Sequence, residues 1–151
     1  MRQKLVLIGN GMAGVRTIEE ILKNDPDRFD ITIFGEEPHP NYNRILLSSV
    51  LQGDTTVDDI VLNEYSWYEE NQIELVTGDP VVNVDTEKQV VVSQNGIKRS
   101  YDKLIFATGS NPFMLPLPGA DKEGVIAFRN IKDCETMIDT SKKYKRATVI
   151  G

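Results

Sequence analysis

An α/β architecture built on a parallel sheet follows from three features of this 151-residue chain. The run Lys4-Leu5-Val6-Leu7-Ile8 is short and continuously apolar, the pattern of a strand buried on both faces. A glycine-rich turn, Gly9-Asn10-Gly11-Met12-Ala13-Gly14, follows at once. Next comes a helical pattern, with Val15, Ile18 and Leu22 on one face. Asn24-Asp25-Pro26 ends that helix, because proline cannot continue its hydrogen-bond ladder. Ile31-Thr32-Ile33-Phe34 is then a second strand. Strand, helix and strand within about thirty residues make a βαβ unit.

Pro38-His39-Pro40-Asn41 reads as a loop. Arg44 to Leu51 is expected to form a short helix closed by Gly53, and Glu64 to Asn71 another, followed by a strand from Ile73 to Val76. The texture then turns β-rich. Val81 to Val84, Gln89 to Ser93 and Ile97 to Tyr101 predict a small antiparallel meander inserted in the parallel architecture. Asn95-Gly96 predicts a type I′ hairpin turn, which needs positive φ at both central residues. Lys103 to Ala107 reads as a return to a buried strand, ending in Thr108-Gly109-Ser110. After a loop containing Pro112, Pro116 and Pro118, Asp133 to Lys143 reads as a helix with Asp133 as its N-cap. Ala147 to Gly151 has the look of a further buried strand reaching a glycine, so the chain is expected to be the front part of a longer protein.

Composition narrows the function. The net charge is −6 and no dense basic stripe is present, so the electrostatic footprint of a nucleic-acid binder is missing. No apolar run approaches the roughly 18 residues of a membrane span, and the N-terminus lacks a signal-peptide pattern. A single cysteine, Cys134, excludes an intrachain disulfide. With one cysteine and one histidine, no transition-metal site is expected. These features read as a cytoplasmic protein that uses an organic cofactor.

The glycine turn supplies the chemistry. Gly9 permits the tight turn, Gly11 lets backbone approach a pyrophosphate, and Gly14 lets the helix pack against the sheet. The N–H groups at the helix start, with its dipole, favour the phosphate charge. Glu36 stands 22 residues after Gly14, at the end of the second strand. A carboxylate there accepts hydrogen bonds from both ribose hydroxyls and repels a 2′-phosphate, which points to FAD or NAD rather than NADP. Glu37 is the alternative ribose ligand.

On these residues the chain resembles the FAD-dependent pyridine-nucleotide oxidoreductases of the glutathione-reductase fold group. Gly9 to Gly14, Glu36 and the stretch Glu36 to Arg44 carry the resemblance, and Ala107-Thr108-Gly109 matches the group's second FAD motif. Gly9 to Arg16, with Asn41 to Ser48, is most similar to the nitrite-reductase branch, in its large subunit. The resemblance implies a Rossmann-like FAD-binding domain, truncated, with an antiparallel insert. Its front portion would span residues 1–118, a connector and helix 119–145, and the first strand of an NAD(P)H-binding domain 146–151. It also implies electron flow from NAD(P)H through FAD to iron–sulfur centres and a siroheme, all but the FAD held beyond this chain. A small nitrite-reductase subunit would be a partner, and an exposed terminal strand would offer an edge to another copy. No nucleic acid or membrane partner is implied, and the isolated chain is expected to be inactive.

Position by position, the resemblance places Gly9, Asn10, Gly11, Met12, Ala13 and Gly14 at the pyrophosphate, and Glu36, with Glu37, at the ribose. Arg44 would reach the cofactor, Val81 or Val82 would meet the adenine through backbone, Ala107, Thr108 and Gly109 would lie along the cofactor, and Arg129 would stand near the flavin. Ser49 replaces a lysine found after Leu-Ser in many related ferredoxin and rubredoxin reductases, which favours the nitrite branch. The cysteine pair of the disulfide reductases is missing from the region near the flavin, so direct dithiol chemistry is excluded. The alternatives are an NADH-dependent rubredoxin or ferredoxin reductase, and a nucleotide-binding module without turnover. No residue reads as catalytic. His39 reads as part of a rigid loop, Cys134 as a small helix residue, and Tyr65, Trp67 and Tyr68 as core packing.

Overall fold

The computed structural model describes residues 2–150. In chain order its main elements are β1 (Gln3–Ile8), α1 (Met12–Asn24), β2 (Phe29–Phe34), α2 (Leu47–Gln52), α3 (Tyr65–Glu70), β3 (Glu74–Val76), β4 (Val81–Asp85), β5 (Val90–Ser93), β6 (Lys98–Ser100), β7 (Lys103–Phe106) and α4 (Ile131–Lys143). They fall in two units. One takes the segment up to Tyr42 with Val61–Gly109, and the other takes Asn43–Ile60 with the segment from Ser110 onward.

The first unit holds both sheets. The parallel sheet runs in the order β3-β2-β1-β7, and β4-β5-β6 form a separate antiparallel meander. Why β1 reads as continuously apolar is now visible. Leu5 and Leu7 face a core that contains Ile18, Ile31, Ile33, Tyr68 and Ile73. Val6 and Ile8 face the opposite way, into a core with Phe34, Val91 and Tyr101. Helices α1 and α3 therefore cover one face of the sheet and the meander covers the other. Fully burying each such aliphatic side chain contributes about 1.5–3 kcal/mol.

Glu74 of β3 and Arg99 of β6 join the two sheets. Arg99 Nε donates to Glu74 Oε2 at 2.8 Å, a second guanidinium nitrogen reaches Glu74 Oε1, and the Thr32 hydroxyl donates to Oε2 at 3.0 Å. The hydrogen bond from Arg99 holds the Glu74 carboxyl below the usual carboxylate range, against a smaller opposing effect of burial.

Beyond β1 and β7 the backbones meet at very short range. Gly9 has φ +112°, and a Cβ built on it would stand 2.1 Å from the Ala107 carbonyl oxygen. Gly9 N–H donates to the Phe34 carbonyl at 2.8 Å, and Ala107 N–H to the Ile8 carbonyl at 2.8 Å. Glycine is thus required at position 9 by conformation and by space together.

In the second unit, α2 ends at Gly53, whose φ is +85°. The α4 helix packs on α2 through Cys134, whose thiol lies 3.8 Å from the Leu47 carbonyl. Burial pushes that thiol's pKa up.

Several expectations are corrected. The Lys103 to Phe106 strand is only half-buried: Leu104 and Ile105 pack against the two cores, while Phe106 is 63% exposed on an edge strand that, among the described residues, pairs with β1 alone. The hairpin is not type I′. Gly96 has φ +86°, but Asn95 is not among the residues with positive φ. Gly96 N–H bonds the Ser93 carbonyl at 3.0 Å and Ser93 N–H bonds the Ile97 carbonyl at 2.9 Å, so the loop is a three-residue one closed by a left-handed glycine. The N-cap of α4 is Asn130, not Asp133. Asn130 accepts from Asp133 N–H and Asp133 reaches back to the Asn130 N–H, a capping box. Tyr65 is 47% exposed rather than core. Residues 147–150 belong to no strand, since no described neighbour pairs with them, and Gly151 lies outside the described residues.

Gly9→Ala is expected to destabilise the chain by about 3 kcal/mol or more, from strain and overpacking together, read as a lower urea midpoint. For Glu74→Gln the expected loss at pH 7 is at most about 1 kcal/mol, because the pair is partly solvent-screened. A depressed folded-state pKa stabilises above the unfolded value and ceases to do so as pH falls through the folded value. The stability difference between the parent and Glu74→Gln should therefore close in acid, and a deficit that persists there would exclude the ion pair as its cause.

Candidate functional site

Three adjacent parallel strands deliver their ends to one edge of the sheet. β1 ends in the turn Gly9 to Gly11, β2 in Gly35-Glu36-Glu37, and β7 in Ala107-Thr108-Gly109. The chain passes from β1 to one side through β2 and β3, while β7 lies on the other side of β1. Such a reversal leaves a crevice outside the carboxyl ends of the strands, where open α/β sheets bind ligands.

The glycine turn opens α1. Gly11 is its N-cap, with φ −89° and ψ 176°, and no side chain caps the helix. Its first turn contains no acidic residue. The N–H groups at a helix start have no intrahelical partner, so Met12, Ala13 and Gly14 present donors to whatever lies ahead of them. A Cβ built on Gly11 would meet nothing within 4 Å. Open space there, beside unpaired donors and a positive dipole end, suits an anion that approaches the backbone closely. Gly14 differs: a Cβ there would stand 2.7 Å from the Gly9 carbonyl oxygen and 3.0 Å from the Ala107 Cβ. Its role is packing of helix on turn.

Glu36 and Glu37, alternatives from the sequence, separate in the structure. Glu36 is exposed, and among the described residues its carboxylate has no hydrogen bond or ion pair. Glu37 Oε2 accepts from the buried Tyr42 hydroxyl at 2.7 Å. The loop before β4 is drawn to the same edge, with Gly78 N–H on the Glu37 carbonyl at 3.1 Å and Asp79 N–H on the Gly35 carbonyl at 3.2 Å. Asp79, itself buried, accepts from the Ser93 hydroxyl at 2.6 Å and from Asn95 N–H at 2.9 Å, which fixes the hairpin to this loop. Val81 begins β4, half-buried, and Val82 is 63% exposed where the β4–β5 register shifts. Thr108 and Gly109 are exposed, and Gly109 has φ +71°.

Arg44 and Arg129 belong to the second unit. Arg44 Nη1 donates to the Arg129 carbonyl at 2.9 Å, and the Arg129 N–H donates to Asp133 Oδ2 at 2.8 Å. His39 contributes main chain: its carbonyl accepts from Asn10 Nδ2 at 3.3 Å, and its ring lies edge-on to Tyr42.

Sequence reasoning missed two residues here. Gly35 is one, since a Cβ there would stand 3.0 Å from the Asn10 Cβ. Tyr68 is the other. Its ring is core, as expected, but its hydroxyl donates to Asn10 Oδ1 at 2.9 Å. Only a tyrosine in place of phenylalanine signalled it, and that sign does not name a partner 58 positions away. Among the described residues no His, Cys, Asp and Glu cluster could hold a metal ion, and no helix is long and apolar enough to cross a membrane.

Known proteins share this arrangement. Residues 3–151 match the family model described as pyridine nucleotide-disulphide oxidoreductase. The chain is 63% identical over 150 residues to a nitrite reductase [NAD(P)H] of Bacillus subtilis (strain 168), covering 99% of this chain and 19% of that protein. It is 55% identical to the assimilatory nitrate reductase electron transfer subunit of the same organism, covering 99% of this chain and 20% of that one. The chain thus spans about a fifth of the length of these relatives. Among solved structures, the NADH:rubredoxin oxidoreductase of Clostridium acetobutylicum superposes with a TM-score of 0.82 at 27% identity, covering 95% of this chain and 36% of that one. Fold, glycine turn and sequence agree: the chain belongs to the pyridine nucleotide-disulphide oxidoreductase family.

Proposed function

We propose that this chain binds FAD as the front part of an NAD(P)H-dependent oxidoreductase that delivers electrons for reduction of nitrite to ammonium. The observation that carries the FAD site is the uncapped N-terminus of α1, open above Gly11 and flanked by the free Glu36 carboxylate. The nitrite reading is supported by the 63% identity to a nitrite reductase, against 30% to an NADH-rubredoxin oxidoreductase.

In this reading the N–H groups of Gly11, Met12, Ala13 and Gly14 hold the pyrophosphate. Glu36 accepts from the ribose hydroxyls, while Glu37 is occupied by Tyr42. Val81 and Val82 present backbone to the adenine, and Ala107, Thr108 and Gly109 line the flavin-side approach. Bound FAD supplies two-electron acceptance and one-electron release. The chain's own contribution is to bind and orient: Gly9 and Gly14 bring the two turns together, and the sheet edge fixes where the donors point. The nicotinamide site, the iron–sulfur centres and the siroheme are assigned to the remainder of the parent protein. A small nitrite-reductase subunit is its proposed partner, and the cytoplasm its proposed location.

The first test is the visible spectrum of the purified chain after FAD loading and desalting. Retained flavin bands are the expected result, and colourless protein after desalting, with no change in flavin fluorescence on titration, would overturn the site. Two variants locate it. Gly11→Ala is expected to leave the fold intact, since its Cβ meets no atom, yet to weaken FAD by about tenfold through its approach to the phosphate. Glu36→Ala is expected to weaken FAD by about tenfold or more, as loss of hydrogen bonds to a charged group. Unchanged titrations of flavin fluorescence for both would place the cofactor elsewhere.

A further inference from the structure

We propose that Tyr68 is a positioning residue for the pyrophosphate turn, its hydroxyl locking Asn10 so that the donors of Gly11 to Ala13 are aimed before ligand arrives. The proposal rests on the FAD reading above and deepens it.

Asn10 lies between Gly9, held against Ala107, and Gly11, where an added Cβ would meet no atom within 4 Å. Both ends of its side-chain amide are engaged. Tyr68 Oη–H donates to Asn10 Oδ1 at 2.9 Å, and Asn10 Nδ2 donates to the His39 carbonyl at 3.3 Å. Tyr68 itself is 1% exposed. Its hydroxyl is also an acceptor, from the Asn41 N–H at 3.2 Å. From Asn41 the network runs on through Nδ2 to Asn63 Oδ1 at 2.8 Å, and from Asn63 Nδ2 to Glu19 Oε1 at 2.9 Å. Glu19 is on α1, so the network leaves the turn at Asn10 and rejoins the same helix further along.

The ring and the hydroxyl of Tyr68 have separable tasks. The ring fills the core and meets Trp67 edge-on at 5.0 Å, which phenylalanine would do equally well. The hydroxyl serves only polar partners, one of them in the turn. Burial raises its pKa, so it stays a donor throughout the neutral range. A turn held in its binding geometry loses less conformational freedom when a ligand docks, and that difference appears as affinity. The affected ligand part is the one the turn faces, the pyrophosphate, and not the nucleoside that Glu36 would hold.

The test is Tyr68→Phe, with FAD, ADP and adenosine as probes. FAD and ADP are expected to weaken by about five- to tenfold while adenosine, which lacks phosphate, is unchanged. Equal weakening of all three would mean a general structural role and overturn the proposal. Asn10→Ala should reproduce the loss, and Tyr68→Phe added to it should cost no further affinity, since the hydroxyl acts through Asn10. Additive losses would overturn that coupling. Amide hydrogen exchange of the ligand-free chain tests the turn independently of any cofactor. Faster exchange in Tyr68→Phe at Gly9 and Val15, whose N–H groups bond the Phe34 and Gly11 carbonyls at the two ends of the turn, with β4 to β6 unchanged, is the expected result, and unchanged rates there would overturn the proposal. Should the parent chain fail to bind FAD or ADP, the FAD reading falls, while the exchange experiment still decides whether Tyr68 holds the turn.

Discussion

The close approach of Gly9 to the Ala107 carbonyl is the contact on which the remaining geometry depends. No side chain mediates it. Two backbone turns at the ends of neighbouring parallel strands meet where a single methyl group would not fit. That approach seats Gly14 of α1 against the same two turns, and it thereby sets the position of the helix N-terminus relative to the sheet. A misplacement there would move every donor of the turn at once. Loop geometry elsewhere is tolerant by comparison, because most turns change one residue's direction rather than the origin of a helix.

Around this contact the structure uses two kinds of fastening. Apolar packing on both faces of β1 supplies the bulk of the stabilisation and no direction. Direction comes from buried polar groups with defined partners: Asp79 on the hairpin, Tyr42 on Glu37, Tyr68 on Asn10. One atom of this network, Asn41 Oδ1, is buried with no partner among the described residues.

Much of the fold was legible in the sequence because its signals are local. The β1 run, the helix face of Val15 and Ile18, the stop at Asn24 and the β-rich meander each depend on neighbours a few residues away. The glycine turn was legible for the same reason, since strand, turn and helix are contiguous. What the sequence hid was relational. Leu104, Ile105 and Phe106 look as buried as Leu5 to Ile8, and only the strand order shows that β7 has one neighbour and β1 has two. Asn95-Gly96 satisfies the composition of one turn, but the hydrogen bonds of Ser93 select another. Asp133 is a good capping residue, yet Asn130, three positions earlier, makes the capping box with it. Glu36 and Glu37 are indistinguishable as letters, yet the structure leaves Glu36 exposed and brings the Tyr42 hydroxyl to Glu37. For β7 the deciding fact is long-range strand order, whereas for the turn, the cap and the acids the partner is near in sequence and the choice rests on hydrogen bonds that residue types alone do not name.

The pairing of β1 with β7 also has a bearing on the order of assembly. The Lys4 N–H bonds the Asp102 carboxylate across 98 positions of sequence, and the Gly9 turn waits on a partner at a similar remove. A loop of that length closes late, because its entropy is lost before its contacts form. During synthesis from the N-terminus, the first βαβ unit therefore exists without the backbone that seats its turn until Ala107 has emerged. A dinucleotide held at that turn would therefore meet its seated form only after β7 has docked.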